Sequence, residues 1–124
     1  MKTITRVLTY LFAGMMILAG IMHIIKPYAY DAFIPDFMPE VLVNYVTGIL
    51  EMLIGIGTIT KRFRPRATFL LFILMIAFLP LHTLDLFKEQ PAIGSPTLAL
   101  IRFPLQFILI AWAWFIHSKS RQAV

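Results

Sequence analysis

The chain has 124 residues, enough for one domain, and 60% of them are hydrophobic while only 14% are charged. A soluble domain of this length cannot bury so much apolar surface, so we predict a single transmembrane domain over residues 1–124. The net charge of +5 comes from basic residues beside apolar segments, and this placement indicates membrane topology and no nucleic-acid partner. Because the chain has no cysteine, it cannot form disulfides, thiolate metal sites or thiol redox relays.

Four apolar segments have the length of membrane-spanning helices, and we predict them at about residues 7–25, 41–59, 67–87 and 97–116. The first is longer than the core of a signal peptide and has no small-residue cleavage site after it, so we interpret it as a retained helix. One face of this helix carries Ala13, Met16, Gly20 and His23, and its small residues predict close approach of a neighbouring helix.

The segment 28–40 contains Pro35 and Pro39, which make a long helix improbable there. Its tyrosine and phenylalanine side chains suit the lipid–water interface, and its carboxylates make it acidic. We expect this segment to lie on the membrane surface with one short helical turn and to cover the end of the bundle.

The second apolar segment carries Glu51 near its middle. As a helix it spans roughly 28 Å, close to the thickness of the hydrocarbon core, so Glu51 is expected near mid-membrane. A charge in hydrocarbon is costly, so the side of the helix that bears Asn44, Glu51, Gly55 and Thr58 is predicted to face protein.

The second half of the chain carries the remaining polar groups. A basic loop is predicted at 61–66, a proline kink at Pro80, and a solvated polar tail at 117–124 that includes His117. Trp112 and Trp114 are predicted to form part of an aromatic belt at the membrane surface.

The distribution of Lys and Arg predicts the orientation of the helices. With four helices, both termini and the 61–66 loop lie on one side, and that side would hold Lys2, Arg6, Lys61, Arg62, Arg64, Arg66, Lys119 and Arg121. The other side would hold only Lys26 and Lys88. By the positive-inside rule, the N-terminus and the C-terminus are expected in the cytoplasm of a plasma-membrane protein.

Polar residues cluster in the outer half of the predicted all-α bundle. The candidate site residues, for binding a ligand or exchanging a proton, are Glu51, Arg102, His82, Gln106, His23, Asn44 and Asp85. The simplest arrangement is an ion pair between Glu51 and Arg102, which either fixes the helix register or forms part of a functional site. Two histidines and a carboxylate can bind iron or zinc, so His23, Glu51 and His82 are a minor alternative as metal ligands, but their spacing forms no local metal-binding motif and no metal site is predicted. The sequence identifies no catalytic residue.

Four short stretches occur in order along the chain: AGIMHIIKP, GILEMLIGIG, FLPLH and RFPLQ. Together they resemble the DoxX-like family of small bacterial integral membrane proteins, over about residues 7–114. The resemblance implies a four-helix protein of the bacterial inner membrane. It also implies that His23, Glu51, His82, Arg102 and Gln106 occupy the family's characteristic polar positions, and it associates the chain with quinone-linked redox and oxidative-stress functions.

Three functions are compatible with these features. The first is a redox-associated protein that binds a quinone or a similar lipid-soluble molecule and exchanges electrons through a partner protein, because the chain has no motif for haem, flavin or iron–sulfur binding. The second is a carrier for a small solute or protons, which would favour a homo-oligomer because four helices are few for a transport path. The third is a non-catalytic assembly subunit of a membrane complex.

Overall fold

The computed structural model describes residues 1–122, and these form four long helices with no strand among them. The helices are α1 (Thr3–Ile25), α2 (Glu40–Ile59), α3 (Arg64–Leu86) and α4 (Pro96–Gln122). Each is long and apolar enough to cross a membrane. The prediction of an all-α protein with four candidate membrane spans is therefore confirmed.

Three helix boundaries differ from the prediction by three residues or more. α1 begins at Thr3, four residues before its predicted start. α3 begins at Arg64, inside the segment expected to be a basic loop, because Pro65 lies in its first turn, where a missing backbone N–H costs no hydrogen bond. α4 continues to Gln122, so most of the predicted polar tail is helical. The last two residues of that predicted tail lie outside the described part of the chain.

The bundle consists of two helical hairpins. α1 packs along α2 and α3 packs along α4, while α2 against α3 and α1 against α4 close the bundle with fewer contacts. The start of α1, the described end of α4 and the short α2–α3 connection therefore lie at the same end of the bundle. The longer connections, residues 26–39 and 87–95, lie at the opposite end.

Glycines bring α1 and α2 into backbone contact. A Cβ atom added to Gly20 would lie 2.5 Å from the carbonyl oxygen of Gly48, and one added to Gly48 would lie 2.7 Å from that of Gly20. Gly55 similarly packs against the backbone of Ala13. The small-residue face predicted on α1 is thus a helix–helix interface, as membrane helices commonly use.

Trp112 does not belong to the predicted aromatic belt. Its ring lies 4.6 Å from that of Phe12, and its indole N–H donates to the carbonyl oxygen of Leu8 at 3.2 Å. Trp112 therefore packs α4 against α1 inside the bundle. Trp114, in contrast, is 47% exposed, as a membrane-facing residue would be.

Two residues predicted to lie outside the helices, Arg64 in a basic loop and His117 in a solvated tail, are buried at the end of the bundle that holds the termini. Arg64 donates to the carbonyl oxygens of Thr58 and Ile59, at 2.7 and 2.8 Å, and so caps the end of α2. His117 is only 6% exposed, and its Nδ1 lies 3.1 Å from the hydroxyl of Thr68. Both predictions were wrong because the two helices extend further than expected and turn these side chains inward.

Candidate functional site

A cavity of about 560 Å³ lies between the two hairpins, at the end that carries the long connections. All four helices and both connections contribute to its wall. Most of the wall is apolar and includes Met16, Met75, Phe78 and Leu109. This volume is within the range of small-molecule binding sites in proteins.

The α1–α2 connection covers one side of this cavity. It forms two short 3₁₀ turns, Pro27–Ala29 and Asp31–Phe33, and residues between Tyr30 and Met38 line the cavity. The ammonium group of Lys88, in the other connection, donates to the carbonyl oxygen of Ala32 at 3.1 Å. We expected one helical turn in a covering segment, and the structure has two.

Four of the predicted site residues, His23, Glu51, His82 and Arg102, line the cavity together, each from a different helix. His23, His82 and Arg102 lie toward the ends of their helices that meet at this end of the bundle, and Glu51 lies near the middle of α2. The ring of His82 also meets the edge of Phe33, at 5.5 Å between ring centres.

Asn44 lies behind the cavity wall and fixes the orientation of His23. Its amide nitrogen donates to the carboxylate of Asp31 at 2.8 Å, and its oxygen lies 2.9 Å from Nδ1 of His23. A carboxylate only accepts hydrogen bonds, so the amide must present its oxygen to His23, and Nδ1 must carry a proton. Nε2 of the neutral ring is then a free acceptor, and it lies 3.7 Å from Oε2 of Glu51.

Gln106 also lies behind the wall, where it holds Arg102. Its side-chain oxygen accepts from Nη2 of Arg102 at 2.8 Å, and its nitrogen donates to the carbonyl oxygen of Met75 at 2.6 Å. The expected ion pair between Glu51 and Arg102 is not formed in the described structure. Glu51 instead faces His23 within the α1–α2 hairpin, while Arg102 is held within the α3–α4 hairpin, and the cavity lies between the hairpins.

Asp85 has a structural position instead of the predicted place in the site. It is buried, is not part of the cavity wall, and accepts hydrogen bonds from the backbone N–H groups of Ala92 and Ile93, at 2.6 and 3.3 Å. Lys88 lies 3.8 Å from the same carboxylate. Asp85 thus holds the α3–α4 connection in place against the bundle.

Tyr30 and Asp31 are site residues that the sequence did not reveal. The ring of Tyr30 stacks on His23 at 3.7 Å between ring centres, and Asp31 orients Asn44. Burial, and then the negative charge of Glu51, raise the pKa of the Tyr30 phenol, so its hydroxyl keeps its proton at neutral pH. In the sequence, only the acidic and aromatic character of the segment pointed to these two residues, because no spacing rule relates a position in an irregular loop to a helix face.

Two polar atoms of the cavity-lining residues are buried without a hydrogen-bond partner in the described part of the protein. They are Oε2 of Glu51 and Nη1 of Arg102. A buried polar atom without a partner destabilises the protein, more so when the group is charged. A bound molecule with suitable polar atoms would relieve that cost.

The arrangement does not assemble a metal centre within residues 1–122, where no group of three His, Asp or Glu side chains is placed to hold an ion. The chemistry that these residues can perform is hydrogen bonding to a ligand and the holding of a proton between His23 and Glu51.

The sequence profile of a family described as a domain of unknown function (DUF8561) matches residues 12–117. The chain belongs to this family. The match covers every predicted site residue. No curated protein and no solved structure matches the chain.

Proposed function

We propose that this member of the DUF8561 family is a multi-pass membrane protein that binds a quinone-like, lipid-soluble molecule and takes part in redox chemistry. The observation that carries the proposal is the mostly apolar cavity with Glu51 and Arg102 in its wall, each with a buried atom that lacks a hydrogen-bond partner within residues 1–122. An apolar wall with a few convergent polar groups is typical of a site for an aromatic or lipid-like ligand.

In this proposal the ring of the ligand packs among the methionine and phenylalanine side chains of the wall. Nη1 of Arg102 donates a hydrogen bond to one ring oxygen, and His82 provides a second polar contact. The pair of His23 and Glu51 exchanges a proton with the ligand. Electrons pass between the bound ligand and a partner protein.

We place the protein in the bacterial inner membrane with both termini in the cytoplasm. The support is the excess of Lys and Arg at the end of the bundle that holds the termini and the α2–α3 connection. In this orientation the cavity lies in the outer half of the membrane, beneath the two long connections.

We also propose that the chain is related to the DoxX-like proteins. The support is that four residues at the characteristic polar positions, His23, Glu51, His82 and Arg102, line one cavity, with Gln106 directly behind Arg102.

The test is mass spectrometry of organic extracts from the protein purified in native-like lipid. We expect a quinone or similar molecule near one per chain, and its loss in Arg102→Leu, which removes the donor, and in Ala19→Phe, which fills the cavity. The matched controls, Arg121→Leu and Ala77→Phe, change exposed residues outside the cavity wall and should retain the molecule. A folded parent protein without any enriched molecule would contradict the proposal.

A further inference from the structure

The hydrogen-bonding groups around the cavity restrict which oxidation state of a quinone-like ligand fits, and this inference rests on the function proposed above. The polar groups in the cavity wall come from both hairpins. The α1–α2 hairpin contributes His23 and Glu51, and the α3–α4 hairpin contributes Arg102.

The α1–α2 side presents acceptors. The chain of hydrogen bonds from Asp31 through Asn44 places a proton on Nδ1 of His23 and leaves Nε2 with a lone pair. Oε2 of Glu51, 3.7 Å from that Nε2, is buried and has no hydrogen-bond partner within residues 1–122. This distance is too long for a direct hydrogen bond.

On this side, at least one acceptor atom has no hydrogen-bond donor, whether or not an additional proton is present. If Glu51 is ionised and His23 is neutral, both facing atoms only accept. If one additional proton is present, it binds either to the carboxyl group of Glu51 or to Nε2 of His23. The group that does not carry this proton keeps a lone pair that can accept a hydrogen bond. A ligand that donates a hydrogen bond therefore fits this side better than one that only accepts.

The α3–α4 side presents a donor. Arg102 uses Nη2 to reach Gln106, and its Nη1 is buried without a partner among residues 1–122. A guanidinium group cannot accept a hydrogen bond, so the ligand must offer an acceptor here.

We infer that the cavity selects the reduced, dihydroxy form of a quinone-like ligand over the oxidised form. Each hydroxyl of a hydroquinone can donate to the His23–Glu51 side or accept from Arg102, whereas a quinone has only acceptors. Leaving a buried acceptor unpaired should lower the affinity for the quinone by about tenfold or more. A tenfold preference for the reduced form raises the two-electron potential of the bound couple by about 30 mV.

The experiment is anaerobic calorimetric titration of the full chain, in detergent, with three probes of equal tail length. These are decylubiquinol, decylubiquinone and the quinol in which both hydroxyls are methylated. We expect the quinol to bind about tenfold more tightly than either of the others. Equal or tighter binding of the quinone would overturn the inference while leaving the proposed function intact. If none of the three probes bound to the folded protein, the proposed function itself would fail.

The variant Glu51→Gln provides a second test with a defined direction. The amide nitrogen of glutamine is a donor, so it can fill Nε2 of His23 or bind a quinone oxygen directly. The preference for the quinol should then disappear, with the affinity for the quinone maintained or increased. Glu89→Gln, an exposed carboxylate outside the cavity wall, is the matched control and should keep the preference. A preference that persisted in a folded Glu51→Gln protein would contradict the assignment of the acceptor side.

Discussion

At the scale of single residues, Asn44 connects the covering segment to the site. Its amide nitrogen binds Asp31 and its oxygen binds His23, so the direction of the amide determines which nitrogen of the imidazole carries the proton. Asn44 is 1% exposed and does not line the cavity, so it is a positioning residue that acts on a ligand only through His23.

Replacement of Asn44 by leucine should allow the neutral ring of His23 to adopt either tautomer. Without the amide oxygen, Nδ1 loses its acceptor, and ¹⁵N NMR of labelled histidine should show that the signal of the Nδ1–H tautomer falls. The substitution removes two hydrogen bonds, and the loss of the one to His23, worth about 1 kcal/mol, should also weaken ligand binding by roughly fivefold. Asp31→Asn is the control, because its side-chain oxygen still accepts from Asn44. An unchanged NMR signal in Asn44→Leu would show that another group orients the ring.

At the scale of helices, backbone contact holds the first hairpin together and brings His23 near Glu51. The crossing of α1 and α2 at Gly20 and Gly48 leaves no space for a Cβ atom at either position. His23 lies one turn beyond Gly20, and Glu51 lies one turn beyond Gly48. The short distance between the helices therefore sets the distance within the His23–Glu51 pair.

Substitution of Gly20 by alanine should destabilise the protein by about 1–3 kcal/mol, because the methyl group would press on the carbonyl oxygen of Gly48. Gly14 is the matched control on the same helix, since nothing lies within 4 Å of its added Cβ atom. Gly14→Ala should be neutral or slightly stabilising, because alanine favours helix more than glycine does. Unfolding in mixed micelles followed by circular dichroism measures both, and equal stability of the two variants would refute the close contact.

At the scale of the whole molecule, the cavity exists because the two hairpins meet only partially. Each hairpin is closely packed within itself, and the cavity lies between them at the end where the connections are long. The end with the termini instead contains buried polar contacts, including those of Arg64 and His117. The mostly apolar cavity between the hairpins thus lies at the end with the long connections.

The proposed orientation predicts which end a membrane-impermeant reagent can reach. The chain has no cysteine, so single cysteines can be introduced without background labelling. In intact cells, an impermeant maleimide should label Glu89→Cys, in the α3–α4 connection, and should label Lys61→Cys only after permeabilisation. Both positions are exposed, so accessibility of the residue itself does not distinguish them. The reverse pattern would place the cavity on the cytoplasmic side and refute the orientation.

The sequence by itself determined the four helices and the position of each polar residue along its helix. Apolar segments of membrane-spanning length must be helical, because every backbone polar group in lipid has to be paired within the segment. The same physics predicts that His23, His82 and Arg102 lie toward one end of the bundle and that Glu51 lies near its middle, since helix length converts position in the chain into position along the bundle.

Only the tertiary structure decided which of these groups face one another. Depth does not specify the rotation of a helix or the identity of its neighbour, so Glu51 could not be assigned to His23 in preference to Arg102 from the chain alone. The places of Asp31 and Tyr30 depend on the path of an irregular segment, and the burial of Arg64 and His117 depends on where the helices end. Partner choice is determined by packing of side chains across helices, which no local pattern in a sequence encodes.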